Sequence, residues 1–223
     1  MMRWALARRL IHENPTIYVR VIGGSRDRGL LSLEEARALL DPGTIDTVWN
    51  RDLLHYTLSL VAASTGLRQG ELLAIRVGDV HKGWIDVSHG YGRMSGEKET
   101  KTRRARISSI PSRATDYLRK ISREDPAAYV FSRDGVSPIS YRTVSYNFNR
   151  ALARIGISNE EREERFITFH SWRTFLNTIL RSRGVPDALV RDQTGHATVK
   201  MTEKYTSFID EHYRPIREIT EEL

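Results

Sequence analysis

The sequence predicts a mainly α-helical fold with one small antiparallel β-sheet, an α+β arrangement. Three observations carry that expectation. Apolar residues recur at three- and four-residue spacing along most of the 223 residues, the period of helices with one face on a core. Those stretches open at cap residues such as Ser32 and Ser140 and stop at Gly66, Gly156 and Gly184. Between Trp84 and Ile110 the texture changes to short runs around a glycine-containing basic middle, the mark of strands joined by turns.

Taken in order, residues 3–12 read as a short basic amphipathic helix, apolar at Trp4, Leu6, Leu10 and Ile11 and ended by Asn14 and Pro15. An extended piece, 16–22, and a flexible link, GGSRDRG, follow. Ser32 and Glu35 form a capping box that opens a helix, and Asp41, Pro42 and Gly43 close it. Residues 50–64 make a long apolar helix central to the core, with Gly66 suited to a left-handed C-terminal position. A short helix covers 69–75. WIDVS and ARISSI read as strands of a sheet of two or three strands. Ser112 caps a helix to about Arg123, and 129–131 form a short strand. Ser140 caps a helix through Arg154, and 159–165 read as a charged loop. Helices then run from His170 to Arg183, from Pro186 to near Thr194 and Gly195, and over 198–204. A charged tail helix begins at Ile209 and ends at 221–222.

Composition narrows the partner. Lys and Arg number 35 against 28 Asp and Glu, a net charge of +7 that favours a polyanion, nucleic acid ahead of membrane. The chain has no cysteine, hence no disulfide framework and no thiolate metal site. No apolar run approaches the ~20 residues of a membrane span. The first residues lack the apolar core of a signal peptide. A cytoplasmic protein is expected. The motifs contain no clustered carboxylates of the kind a metal-dependent nuclease needs.

The chemistry gathers in the last third, FHSWRTFLNTILRSRGVPDALVRDQTGHATVKMTEKY. His170 and Arg173 are three apart, so a helix puts them on one face. Gly195 and His196 sit at a helix junction, and Tyr205 follows nine residues later. Upstream, STGLRQGEL places Arg68 just after a helix stop, with Glu71 three residues on as an acidic partner. Guanidinium forks match a charged phosphate and keep their protons. Imidazoles exchange protons near neutral pH. A phenol, with a pKa of about 10, needs a base or cation beside it before it attacks. Singly, Tyr205 reads as a packed core tyrosine, and His170 and His196 as structural histidines. The ordered set points to a phosphodiester.

That set, TGLRxxEL, then HxxR, then GH, then Tyr, resembles the tyrosine recombinase (phage integrase) family over roughly Leu30 to the C-terminus. The resemblance implies the DNA breaking–rejoining catalytic fold. It also implies site-specific recombination through a 3′-phosphotyrosine intermediate, on double-stranded DNA and without metal, ATP or other cofactor. Tyr205 would be the nucleophile, Arg68 and Arg173 the phosphate clamp, His170 the proton acceptor and His196 a hydrogen-bond donor to the phosphate. Glu71 would orient Arg68. The family carries a general-acid lysine on a turn between strands. ETKTRRARISSIP fits that turn best at Lys101, with Lys98 second, while Arg103, Arg104 and Arg106 fit a basic face on the DNA backbone.

Residues 1–29 resemble the end of an N-terminal core-binding domain plus the interdomain linker, and 30–223 the catalytic domain, which would make the chain a catalytic fragment or a natural short form. Members of the family assemble on DNA, here expected as a tetrameric synapse, and pass a C-terminal helix to a neighbour. Ile209, Tyr213, Ile216 and Ile219 offer such a stripe, which serves equally for packing on their own domain. No membrane partner is implied, and the location is cytoplasmic on the nucleoid DNA. One departure stands out: Trp172 occupies a position where the family more often has a smaller aliphatic residue, which implies local repacking. The competing readings are a type IB topoisomerase or telomere resolvase with the same chemistry, and a non-catalytic DNA-binding regulator on the same fold.

Overall fold

A computed structural model describes residues 2–13, 29–93, 96–99, 106–195 and 210–223, without the side chains of 2–3, 98–99 and 210–214. In chain order the helices are α1 (Met2–Ala7), α2 (Leu33–Leu40), α3 (Ile45–Val48), α4 (Leu53–Thr65), α5 (Gln69–Leu73), α6 (Ser112–Ile121), α7 (Tyr141–Arg154), α8 (Asn159–Glu164), α9 (Ser171–Ser182), α10 (Asp187–Thr194) and α11 (Asp210–Glu221). The strands are β1 (Trp84–Val87), β2 (His89–Gly92), β3 (Gly96–Glu99) and β4 (Arg106–Ser109).

The centre is α4. Eleven of its thirteen residues are buried, which makes it the axis on which α6, α7 and α9 pack. Its sequence has no polar face, and its hydroxyls turn back on the helix: Ser64 donates to Leu60 O at 2.8 Å and Thr65 to Val61 O at 2.6 Å. Asp52 caps it by accepting the His55 N–H at 3.2 Å, so the helix starts three residues later than the apolar run does. Gly66 ends it at φ 62°, where a Cβ would come 2.9 Å from Thr194 Cγ2. Only glycine allows α4 and α10 to end this close together.

The capping box at Ser32 is complete: Glu35 N–H donates to Ser32 Oγ at 3.1 Å and Ser32 N–H to Glu35 Oε2 at 2.8 Å. Trp172 fills the core at 1% exposure, its ring 6.0 Å from Phe148 and 5.9 Å from Phe175.

Four expectations change. The single sheet is two separate two-stranded antiparallel ladders, β1 with β4 and β2 with β3. The basic middle therefore contains its own hairpin. Residues 129–131 are not a strand; Tyr129 makes one isolated bridge to Arg76. Residues 159–165 are not a loop, because Ser158 Oγ accepts the Glu161 N–H at 3.2 Å and caps α8. Arg165 then grips Glu35 with two N–H groups, at 2.7 and 2.9 Å, and Glu161 at 2.6 Å, tying α8 to α2. Helix α1 covers fewer residues than expected and leaves Trp4 and Leu10 exposed. The expected pieces at 16–22 and 198–204 lie outside the described residues.

The tail helix α11 sits on its own chain. Ile216 and Ile219 join Leu176, Leu180, Val185 and Val190 in a second apolar cluster. Glu221 accepts the Ser112 N–H at 2.6 Å, and Glu222 pairs with Arg183 at 3.2 Å. No helix among the described residues is long and apolar enough to cross a membrane.

Candidate active site

Arg68 is the residue before α5, placed there by the turn at Gly66 that ends α4. Glu71 lies one turn into the helix and closes back: its Oε2 accepts the Arg68 backbone N–H at 2.9 Å and its Oε1 the Arg68 side chain at 3.1 Å. Arg173 enters from α9, whose apolar residues Phe175, Leu176 and Leu180 seat the helix against α4 and α10. Its side chain is 4% exposed and donates through Nη1 to Gly66 O at 2.7 Å and to Thr194 O. His170 is the residue before α9, half-buried, its carbonyl accepting the Arg173 N–H at 3.0 Å.

These groups meet at the carbonyl ends of α4 and α10. Thr194 O receives Arg173, and Gly195 O receives Arg68 Nη1 at 3.0 Å. The C-terminal end of a helix carries partial negative charge, which helps three cations gather there. The third is Arg106, the first residue of β4. It was expected on an outward basic face with Arg103 and Arg104, but it turns inward. Its side chain is 17% exposed and donates to Glu71 Oε2 at 3.0 Å and to Thr194 O at 3.5 Å. Arg106 shares its strand face with Ser108, which is fully buried, while Ile107 faces out, so apolar alternation along the strand points the wrong way.

The electrostatics follow from burial and charge. Burial pushes the Glu71 carboxyl up, but the Arg106 guanidinium, the Arg68 N–H and the Arg68 charge outweigh it and hold Glu71 below the ordinary range. Burial brings Arg173 down to about 10, and the like charges of Arg68 and Arg106 act in the same direction against the pull of Glu71. An anion in this site would relieve that strain. No group of three or more His, Asp or Glu side chains is placed to hold a metal among the described residues.

Arg68, Glu71, Arg106 and Arg173 are thus brought into one region, and His170 adjoins it through its backbone bond to Arg173. Lys101, Arg103, Arg104, His196 and Tyr205 lie outside the described residues, as does the side chain of Lys98, whose backbone is in β3.

The strand carrying Lys98 is itself anchored. Glu97 Oε2 accepts Arg76 Nη2 at 2.8 Å and the Tyr129 hydroxyl at 2.7 Å, and the Arg76 guanidinium lies 4.6 Å over the Tyr129 ring. Burial and the Glu97 charge push the Tyr129 phenol up to about 12.

Comparison with known proteins agrees with this architecture. Tyrosine recombinase XerA of Pyrococcus furiosus is 25% identical over 186 residues, which are 82% of this chain and 59% of the relative. The chain thus spans about three fifths of that relative's length. The Tn1549 transposon integrase in complex with transposon right end DNA superposes with a TM-score of 0.67 at 19% identity, covering 99% of this chain and 75% of that one. A lambda integrase tetramer bound to a Holliday junction gives 0.61 at 19% identity, over 91% and 57%. The fold is that of tyrosine recombinase catalytic domains. Residues 31–212 match the Phage integrase family, and the chain belongs to that family.

Proposed function

We propose that this chain cuts and rejoins DNA strands as a site-specific recombinase of the integrase type. The observation that carries the reading is that Arg68, Arg106 and Arg173 meet at the carbonyl ends of α4 and α10 beside the carboxylate of Glu71, a gathering of guanidinium groups suited to a phosphoryl transition state. In the reaction, Tyr205 Oη bonds to the scissile phosphorus and the bond from phosphorus to O5′ breaks. The phenolic proton passes to His170, and a proton from Lys101, or from Lys98, goes to the leaving O5′. The products are a 3′-phosphotyrosine and a free 5′-hydroxyl. The phosphoester bond is exchanged rather than hydrolysed, so rejoining runs the same steps backwards. Arg68 and Arg173 hold the non-bridging oxygens and His196 adds a hydrogen bond.

On this reading 30–223 is the catalytic domain, and 1–29 the end of a core-binding domain with its linker. Duplex DNA is the substrate, the protein works on the nucleoid, and Arg103 and Arg104 touch the backbone. Copies assemble on DNA as a tetramer, as the lambda integrase structure pictures for that protein. Exchange of the tail helix between copies would require Ile216 and Ile219 to leave their own pocket for a neighbour's equivalent one.

Covalent trapping tests the core of the proposal. Labelled duplexes nicked within a randomised region are incubated with the protein in EDTA without ATP and run on denaturing gels. A shifted band, absent in Tyr205→Phe, is the expected result. A band that survives Tyr205→Phe removes Tyr205 as nucleophile. Salt-sensitive DNA binding with no band at all turns the reading towards a regulator.

A further inference from the structure

Glu71 is the object of a competition. Its Oε1 takes Arg68 Nη1 at 3.1 Å, while its Oε2 takes Arg106 Nη2 at 3.0 Å. A carboxylate facing one guanidinium commonly takes it by two parallel N–H···O bonds. Here Arg106, together with the backbone N–H of Arg68 itself, occupies the second oxygen. Arg68 is therefore held through one side-chain nitrogen, and its side chain stays 48% exposed. The sheet fixes this arrangement: Arg106 lies opposite buried Val87 in the β1–β4 register, and its guanidinium reaches the turn that ends α10, where it donates to Thr194 O at 3.5 Å. A Cβ on Gly195, whose φ is +69°, would collide with that guanidinium.

We propose that Arg106 is a positioning residue for strand cleavage. By neutralising one oxygen of Glu71 and bracing the turn at Gly195, it keeps the open face of Arg68 available to the scissile phosphate. This deepens the recombinase reading and rests on it. Arg106 acts through Glu71 and Arg68 and does not itself touch the phosphate. It therefore matters only while Glu71 is charged and while the phosphate carries the charge that Arg68 meets.

The test is single-turnover covalent capture at saturating DNA, using the nicked duplex that the wild-type chain captures from a randomised pool. Arg106→Gln is expected to slow capture about tenfold or more, the scale of a lost charge-assisted hydrogen bond. Arg106→Lys, which keeps one donor for Glu71, recovers most of the rate. In a Glu71→Gln background the same Arg106→Gln change costs less than about threefold, since no carboxylate remains to draw Arg68 away. A neutral methylphosphonate at the scissile position also shrinks the Arg106→Gln loss, whereas a merely structural fault slows both substrates alike. Should Arg106→Gln fail to fold, Arg106→Lys is compared on the two substrates in its place. An equal loss in both backgrounds, an equal loss on both substrates, or a wild-type rate for Arg106→Gln overturns the proposal. Arg68→Gln is the control. If it captures DNA like the wild type, or if the wild type captures nothing, the recombinase reading fails and takes this one with it. If Arg68→Gln is inactive while Arg106→Gln is normal, only the role of Arg106 falls.

Discussion

Glu71 concentrates the residue-scale physics of the site, because it is a buried carboxylate whose charge is sustained by two arginines. Its pKa is lowered in the fold, so the stability it contributes is present above the ordinary glutamate value of 4.5 and is lost as pH falls through the lowered one. Thermal unfolding of the wild type and of Glu71→Gln should therefore differ most near neutral pH and converge on acidification below pH 4.5. A constant gap would mean that the carboxylate is not charged in the fold. Arg173 has the opposite sign. Its lowered pKa makes the charged form costly at every pH below about 10, a cost that a bound phosphate would offset. Arg68, His170 and Arg173 stand out in the sequence as an ordered set with the family's spacings, Arg68 behind a glycine stop and His170 three residues before Arg173. The inward turn of Arg106 could not be singled out that way. It depends on which face of β4 meets β1, a pairing between segments separated by a hairpin that itself read only as a basic middle.

Among the elements, the helices were the most legible because caps and apolar periodicity act within a few residues. Segment 159–164 reads as a loop although its cap is local, the Ser158 hydroxyl accepting the Glu161 N–H, because its run of charges offers no apolar stripe. Elsewhere a distant partner decides the matter. Strands β2 and β3 have little apolar alternation, and what fixes β3 is the contact of Glu97 with Arg76 and Tyr129, residues far along the chain. The tail helix allows a sharper test. Ile216 is fully buried against α9 and α10. Ile216→Ala should cost about 2–4 kcal/mol, the range for a buried large-to-small change, and lower the melting temperature by several degrees. A melting temperature unchanged in Ile216→Ala would show that α11 is not seated there in solution.

At the scale of the whole molecule, the excess of positive charge bears on solubility and on the attraction of DNA, and leaves the choice of fold to the core. If the arginines and lysines neutralise four or more phosphates, DNA affinity should fall about a hundredfold or more between 50 and 200 mM salt. A shallow dependence in filter-binding or anisotropy titrations would argue against a backbone-tracking surface. The docking of α11 has a further consequence for the arginine cluster. Its isoleucines pack on the apolar faces of α9 and α10, the same two helices that bring the Arg173 guanidinium and Thr194 O together. The last helix is thus a buttress behind the site: whatever loosens it also loosens the ground on which the guanidinium groups stand.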